Sequence, residues 1–105
     1  MTIDEISFEL ISKAGTAFSI MVESLNDAKQ YNFLEVEKKL MAAEKLMNEA
    51  HNLQTSLIVK EMNDEDVETN VLLIHAQDTL MNTILMLTIV QEFVSIYKRE
   101  EERSK

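Results

Sequence analysis

Apolar residues recur along this chain at steps of three and four, the spacing of one face of an α-helix. The first run passes through Ile3, Ile6, Leu10, Ala14, Ala17, Met21, Leu25 and Ala28. It opens at Thr2-Ile-Asp-Glu5, which has the spacing of a capping box, a hydroxyl at the N-cap and a carboxylate three residues on. The second passes through Val36, Leu40, Ala43, Met47, Ala50 and Leu57, with Gln54 where an apolar residue is expected. Asn32 is placed to cap it, so the break at 30–32 is short. These stripes predict helices over 3–30 and 33–62. A third helix is predicted over 65–101, with Asn63-Asp-Glu-Asp66 supplying a cap and first-turn acids. The tail YKREEERSK reads as solvated and frayed.

The third stretch has no single stripe. At 100° per residue, Val71, Ile74, Met81, Leu85 and Ile89 form one face. Leu72, Ala76, Leu80, Leu87, Val90 and Val94 form another. Between residues 71 and 90 the only formal charge is Asp78. A helix apolar on most sides is buried on most sides, and two other helices do not suffice to cover it. The pattern therefore predicts an oligomer with the third helix at its centre. Gly15, in the middle of the first helix, costs about 1 kcal/mol relative to Ala. With Ala14 and Ala17 it predicts a narrow place where a neighbour approaches closely.

Composition agrees with helices packed on helices. The 105 residues suit one domain, 1–105, and contain no Pro and one Gly. The fold class expected is all-α, a three-helix antiparallel (up-down-up) bundle. The absence of Cys excludes disulfides, thiol catalysis and thiolate metal sites. Ten Lys and Arg against 19 Asp and Glu give a net charge of -9, which argues against nucleic acid or an anionic membrane as partner. The opening MTIDEISFEL has neither the basic nor the apolar region of a secretion signal. The most membrane-like window, 71–90, holds His75, Gln77, Asp78 and Asn82 among other polar residues. An Asp near a membrane centre alone costs roughly 2.5–3.5 kcal/mol. The expectation is a soluble cytoplasmic chain with no direct membrane insertion.

Little chemistry remains open. There is no Gly-rich phosphate loop, no Glu-x-x-His of di-iron bundles and no His-Glu-x-x-His. His75, Asp78 and Thr79 share one face within one helical turn. A lone His in an apolar helix is more often structural and hydrogen-bonded. At a subunit seam, however, an imidazole that titrates near neutrality is a usable nucleophile. His51, beside Asn52 near the edge of the second stripe, reads as half-exposed and structural. Gln54 and Thr55 are placed where they could face the third helix, and a buried Gln needs partners.

Three segments carry a resemblance. AGTAFS (14–19), AHNLQTSLI (50–58) and LLIHAQDTLMN (72–82) resemble, in order and one per helix, the landmarks of the enzyme IIA component for lactose and cellobiose-type sugars of the bacterial phosphotransferase system. The resemblance spans nearly the whole chain. It implies a homotrimer of nine helices, in keeping with the excess apolar surface of the third helix. It implies that His75 is the phosphoacceptor, forming tele-phosphohistidine, and that Gln77, Gln54 and Thr79 support it. HPr would be the phosphate donor and the cognate IIB component the acceptor, within a multi-protein phosphotransferase. It also implies that Asp78 from each subunit lies on the trimer axis with Mg²⁺ or another divalent cation. The sugar would be lactose or, as the leaning expectation, a β-glucoside of the cellobiose type.

Two positions depart from the family pattern: Thr79 stands where a second His is usual, and Asp64 where a turn Gly is usual. Two readings from other classes compete. One is a histidine phosphotransfer domain of a two-component pathway, although Ala76–Thr79 lacks the Lys-Gly that typically follows its His. The other is a non-catalytic structural trimeric bundle whose polar residues fix register.

Overall fold

Thr2 opens the first helix as its spacing predicts. Its hydroxyl oxygen accepts from the Glu5 N–H at 3.1 Å and its hydroxyl donates to Glu5 Oε1 at 3.2 Å. The computed structural model describes residues 1–63 and 69–105. They form α1 (Ile3–Lys29), α2 (Phe33–Met62) and α3 (Val71–Ser104).

α1 ends one residue earlier than the stripe predicts, for a local reason. The Tyr31 N–H donates to Ala28 O and the Asn32 N–H to Asp27 O, the paired bonds of a Schellman end. That motif needs a left-handed residue, usually Gly; here Tyr31 takes it at φ 61°. Its side chain offers compensation. The phenol donates to Glu100 Oε1 at 2.8 Å, and the ring stacks on Phe33 at 6.3 Å between centroids. The hydrogen bond to Glu100 holds the Tyr31 phenol above its ordinary pKa. Asn32 occupies the N-cap of α2, but its side chain makes no capping bond; only its carbonyl accepts, from Val36.

The start of α3 corrects the sequence reading. Asn63 closes α2, its N–H donating to Val59 O, and does not open α3. Asp64, Glu65 and Asp66 lie outside the described residues, as does the turn position of Asp64 noted above. Thr69 and Asn70 are non-helical, and Asn70 is the N-cap of α3: its side-chain oxygen accepts from the Leu73 N–H at 2.8 Å. The same side chain donates to Asp4 Oδ1 at 3.2 Å, tying the first turns of α1 and α3 together. At the other end α3 runs to Ser104, so most of the supposedly frayed tail is helical.

Cross-helix pairs give the topology. Lys13 reaches Glu49 at 3.0 Å and Lys39 reaches Asp27 at 2.6 Å, so α1 and α2 are antiparallel. The hydrogen bond from Glu49 raises the Lys13 pKa. Asp4 with Asn70, Ala14 with Thr83, and Tyr31 with Glu100 make α1 and α3 parallel. Gln54 with Gln77 and Glu44 with Gln91 make α2 and α3 antiparallel. The chain is an up-down-up bundle 59 Å long. α1 packs closely on both other helices, while α2 and α3 touch little.

The core follows the two predicted stripes. Leu10, Ala14, Ala17 and Met21 meet Ala43 and Ala50 on one side and Ala76, Leu80 and Val90 on the other, all essentially inaccessible. Alanines at so many contact positions let the helix backbones approach. Three buried hydroxyls are satisfied locally: Ser7 on Ile3 O, Ser24 on Met21 O and Thr83 on Thr79 O. Gly15 is not the close-packing point that the sequence suggests. Ala14 and Ala17 are packed, but a Cβ at Gly15 would meet nothing within 4 Å.

The two faces of α3 separate cleanly. Ala76, Leu80, Val90 and Val94 are buried, and Leu72 and Leu87 are half-buried. Val71, Ile74, Met81, Leu85 and Ile89 are all exposed, Val71 at 81%. Within one chain α3 is therefore buried on one face, not on most sides. The helix also has the length and hydropathy of a membrane span, a test that the core helix of a bundle also passes.

Asn70 joins two roles, and its removal has a definite expected outcome. Asn70→Ala loses the α3 cap, which costs about 1 kcal/mol, and the tie to Asp4. Thermal unfolding at fixed chain concentration should show a melting temperature lower by roughly 4–8 °C. An unchanged melting temperature would refute the capping role.

Candidate functional site

The polar residues of the apolar stretch are sorted by the helix onto different sides. α3 begins at Val71, so His75 is its fifth residue, in the second turn. The His75 side chain is exposed, and its carbonyl accepts the Thr79 hydroxyl at 2.8 Å. The Thr79 proton is thus committed to the backbone of His75. The half-buried Thr79 passes the same pattern on, its carbonyl accepting from Thr83, whose hydroxyl also lies 3.4 Å from Ala14 O on α1. This ladder fixes the backbone under His75 and leaves the imidazole outside it.

Gln77 turns toward α2. Its Nε2 donates to Gln54 Oε1 at 2.5 Å, joining two half-buried amides across the helices. The expectation that Gln54 faces α3 holds. For Thr55 it does not: that residue is exposed, and its hydroxyl donates to His51 O within its own helix. The Gln54–Gln77 pair stands at one end of a cleft of about 560 Å³ between α2 and α3, also lined by Leu57, Glu61, Leu73 and Ile74. His51 is exposed rather than half-exposed.

Asp78 points to neither neighbour. It is exposed on the uncovered apolar face, with Ile74 one turn before it and Met81 one turn after. One chain supplies this single carboxylate. Among the described residues no three His, Cys, Asp or Glu gather as a metal-binding group. A cation at Asp78 would therefore need carboxylates from further copies, and three converging carboxylates would suit a hard, oxygen-seeking ion.

The one formal charge near His75 on its own helix is Asp78, three residues on. α3 has no Lys or Arg between residues 71 and 97. Lys13, on α1, is committed to Glu49 and Glu9. Helix side chains lean toward the N-terminus, and the first turn of α3 carries the positive end of its dipole. That end favours an anion by typically 0.3–1 kcal/mol. His75, in the second turn, lies just beyond the turn where this effect is strongest.

The bundle and its motif have close counterparts. The family model for the PTS system lactose/cellobiose-specific IIA subunit matches residues 5–98. The lactose-specific EIIA component of Streptococcus mutans is 38% identical over 94 residues, covering 90% of each chain. The crystal structure of the PTS cellobiose-specific enzyme IIA from Bacillus anthracis superposes with a TM-score of 0.93 at 42% identity, over 97% of this chain and 94% of that one. The IIA(Chitobiose) of Escherichia coli, solved in complex with HPr, superposes with a TM-score of 0.80 at 26% identity, over 96% of this chain and 98% of the other.

Proposed function

Because this chain belongs to the lactose/cellobiose-specific IIA family of the phosphotransferase system, we propose that it is a cytoplasmic phosphohistidine carrier. It takes phosphate from HPr on His75 and passes it to a IIB component, for uptake of a cellobiose-type β-glucoside or of lactose. The observation that carries the reading is the state of His75. It is an exposed imidazole on a rigidly held helix turn, in a fold whose chitobiose relative is known bound to HPr.

The transfer is an exchange between two imidazoles. The Nε2 lone pair of neutral His75 attacks the phosphorus of the donor phosphohistidine. The donor P–N bond breaks and its electron pair returns to the donor ring. Each ring keeps the proton on its other nitrogen, so no proton is gained or lost overall. Such transfer depends chiefly on positioning and charge stabilisation. The Thr79–His75 backbone bond contributes to the first, and the start of α3 contributes to the second. The Gln54–Gln77 pair fixes the adjoining residue against α2.

The uncovered face of α3 supports a homotrimer. Val71, Ile74, Met81, Leu85 and Ile89 form a stripe on one helix, as expected where three such helices meet around an axis. Asp78 would then be axial in each copy, and a divalent ion such as Mg²⁺ held by the three carboxylates would neutralise them. Two measurements test the whole reading. Incubation with phosphorylated HPr should give acid-labile label on the chain, and ultracentrifugation should give three chain masses. A stable monomer at micromolar concentration would remove the trimer; an unlabelled chain would remove the carrier.

A further inference from the structure

The uncovered stripe of α3 continues past its last aliphatic residues and changes character. At 100° per residue, Ile74, Asp78, Met81 and Leu85 fall within an arc of about 60°. The same arc passes, farther along the helix, through Glu92, Ile96, Arg99 and Arg103. All of these side chains are exposed in one chain, Ile96 at 54%. If copies gather around an axis at Ile74, Met81 and Leu85, the two arginines are carried to that axis near the end of α3.

Arg99 and Arg103 have no use inside the chain, and their charged neighbours are committed elsewhere. The Lys98 ammonium lies 5.7 Å over the Phe33 ring. Glu100 accepts from the Tyr31 phenol, and Glu101 lies 3.7 Å from Lys105. Among the described residues neither arginine makes an ion pair. The two stand one turn apart and, with Ile96, Glu100 and Ser104, line a hollow of about 370 Å³. Like charges four residues apart on a helix repel. Three chains would add two guanidinium groups each to one small region.

The protein does not balance this charge. The C-terminal end of each α3 supplies about half a negative charge, well short of two arginines per chain. Glu92 does not close the gap. It precedes Arg99 by seven residues, about 10.5 Å along the helix, with Ile96 between them. Helical side chains lean toward the N-terminus, so the Glu92 carboxylate leans away from the guanidinium groups that follow it.

We propose that the C-terminal end of the trimer axis is an anion site, where Arg99 and Arg103 of three chains hold one inorganic phosphate. The inference rests on the trimer reading and is independent of the chemistry at His75. One chain holds a third of the site, which is incomplete without the other copies. Shape and charge select the ligand. A tetrahedral oxyanion has a three-fold axis of its own, with three oxygens for three subunits and the fourth along the axis. Guanidinium groups present paired N–H donors to such oxygens and keep their charge at any working pH. An anion held this way binds only the assembled form, so it stabilises the assembly by mass action.

The experiment titrates inorganic phosphate calorimetrically into wild type, Arg99→Gln, Arg103→Gln and Lys105→Gln at constant ionic strength. Lys105→Gln removes a charge from the same end of α3 but off the arc. Wild type and Lys105→Gln should bind one phosphate per three chains. Each arginine variant should lose about tenfold or more in affinity, because one substitution removes three charged donors from the site. Sulfate, of the same shape, should compete; nitrate, planar and singly charged, should not. Phosphate should raise the melting temperature of wild type more than that of the arginine variants, its general salting effect being common to all. Sedimentation without phosphate should give three chain masses for all four proteins. A wild-type trimer that binds no phosphate, binds one per chain, or yields equally to nitrate would overturn the site alone. So would arginine variants that bind as wild type does, or that fall into monomers without phosphate, since the arginines would then join copies directly. A monomeric wild type would overturn the trimer reading and the site with it.

Discussion

His75→Gln should take no label from phosphorylated HPr, while His51→Gln should be labelled as wild type is. The chain has two histidines and no cysteine, so these two variants cover every imidazole. Both side chains are exposed, and exposed substitutions usually change stability by no more than about 0.5 kcal/mol. Loss of label therefore reports chemistry rather than unfolding. Gln is close to His in volume and keeps a hydrogen-bonding end, but it has no nucleophilic ring nitrogen. The hydroxyl-to-carbonyl bond from Thr79 uses only the backbone of residue 75 and survives the change. Circular dichroism on each variant checks the fold. Label on His75→Gln, or its loss in His51→Gln alone, would move the acceptor elsewhere.

The contrast between the two histidines was legible in the sequence only through the motif. Burial does not separate them, since both are exposed, and each has a Thr four residues on that donates to its carbonyl. What differs is the helix. His51 lies well inside α2, whereas His75 lies in the second turn of α3, near the positive end of its dipole. That distinction depends on where α3 starts. The acidic run after Asn63 looked like a helix opening because acids and Asn favour N-termini. Asn63 instead ends α2, and Asn70, directly before the apolar run, has the cap geometry.

Other features were visible in part. The α1 and α2 stripes gave the core nearly residue for residue, because each of those helices buries one regular face. Period alone could not identify Thr83 as a core residue. It is polar by type, yet it is buried with its hydroxyl spent on Thr79 O. Nor could period anticipate Tyr31 in a left-handed turn, since its compensation comes from Glu100, 69 positions away. Gln54 was conspicuous as a polar residue in an apolar stripe, and Gln77 supplies the partner that such a residue needs. The surplus apolar face of α3 was readable from the sequence as well. One chain leaves it open, and that open face is the link between the fold and the trimer proposed above.

Asp78→Leu tests that link where the expected effect is largest. In one chain Asp78 is exposed among Ile74, Met81 and Leu85. If this face lines a three-fold axis, three carboxylates are brought together and taken out of water. Like charges in a low-dielectric site must protonate, hydrate or share a cation. Chelation should therefore weaken the wild-type assembly, lowering its melting temperature in EDTA. Replacing a buried ionic cluster with apolar side chains is often stabilising by about 1–4 kcal/mol, and each kcal/mol corresponds to roughly 4–8 °C for a domain of about this size. Asp78→Leu should keep the mass of three chains, melt at or above the metal-bound wild type and ignore EDTA. Mass by ultracentrifugation and melting with and without EDTA, on both proteins, provide the reading. If EDTA leaves wild type unchanged and Asp78→Leu separates into monomers, the carboxylate faces outward or binds within its own chain, and the axial cation is wrong.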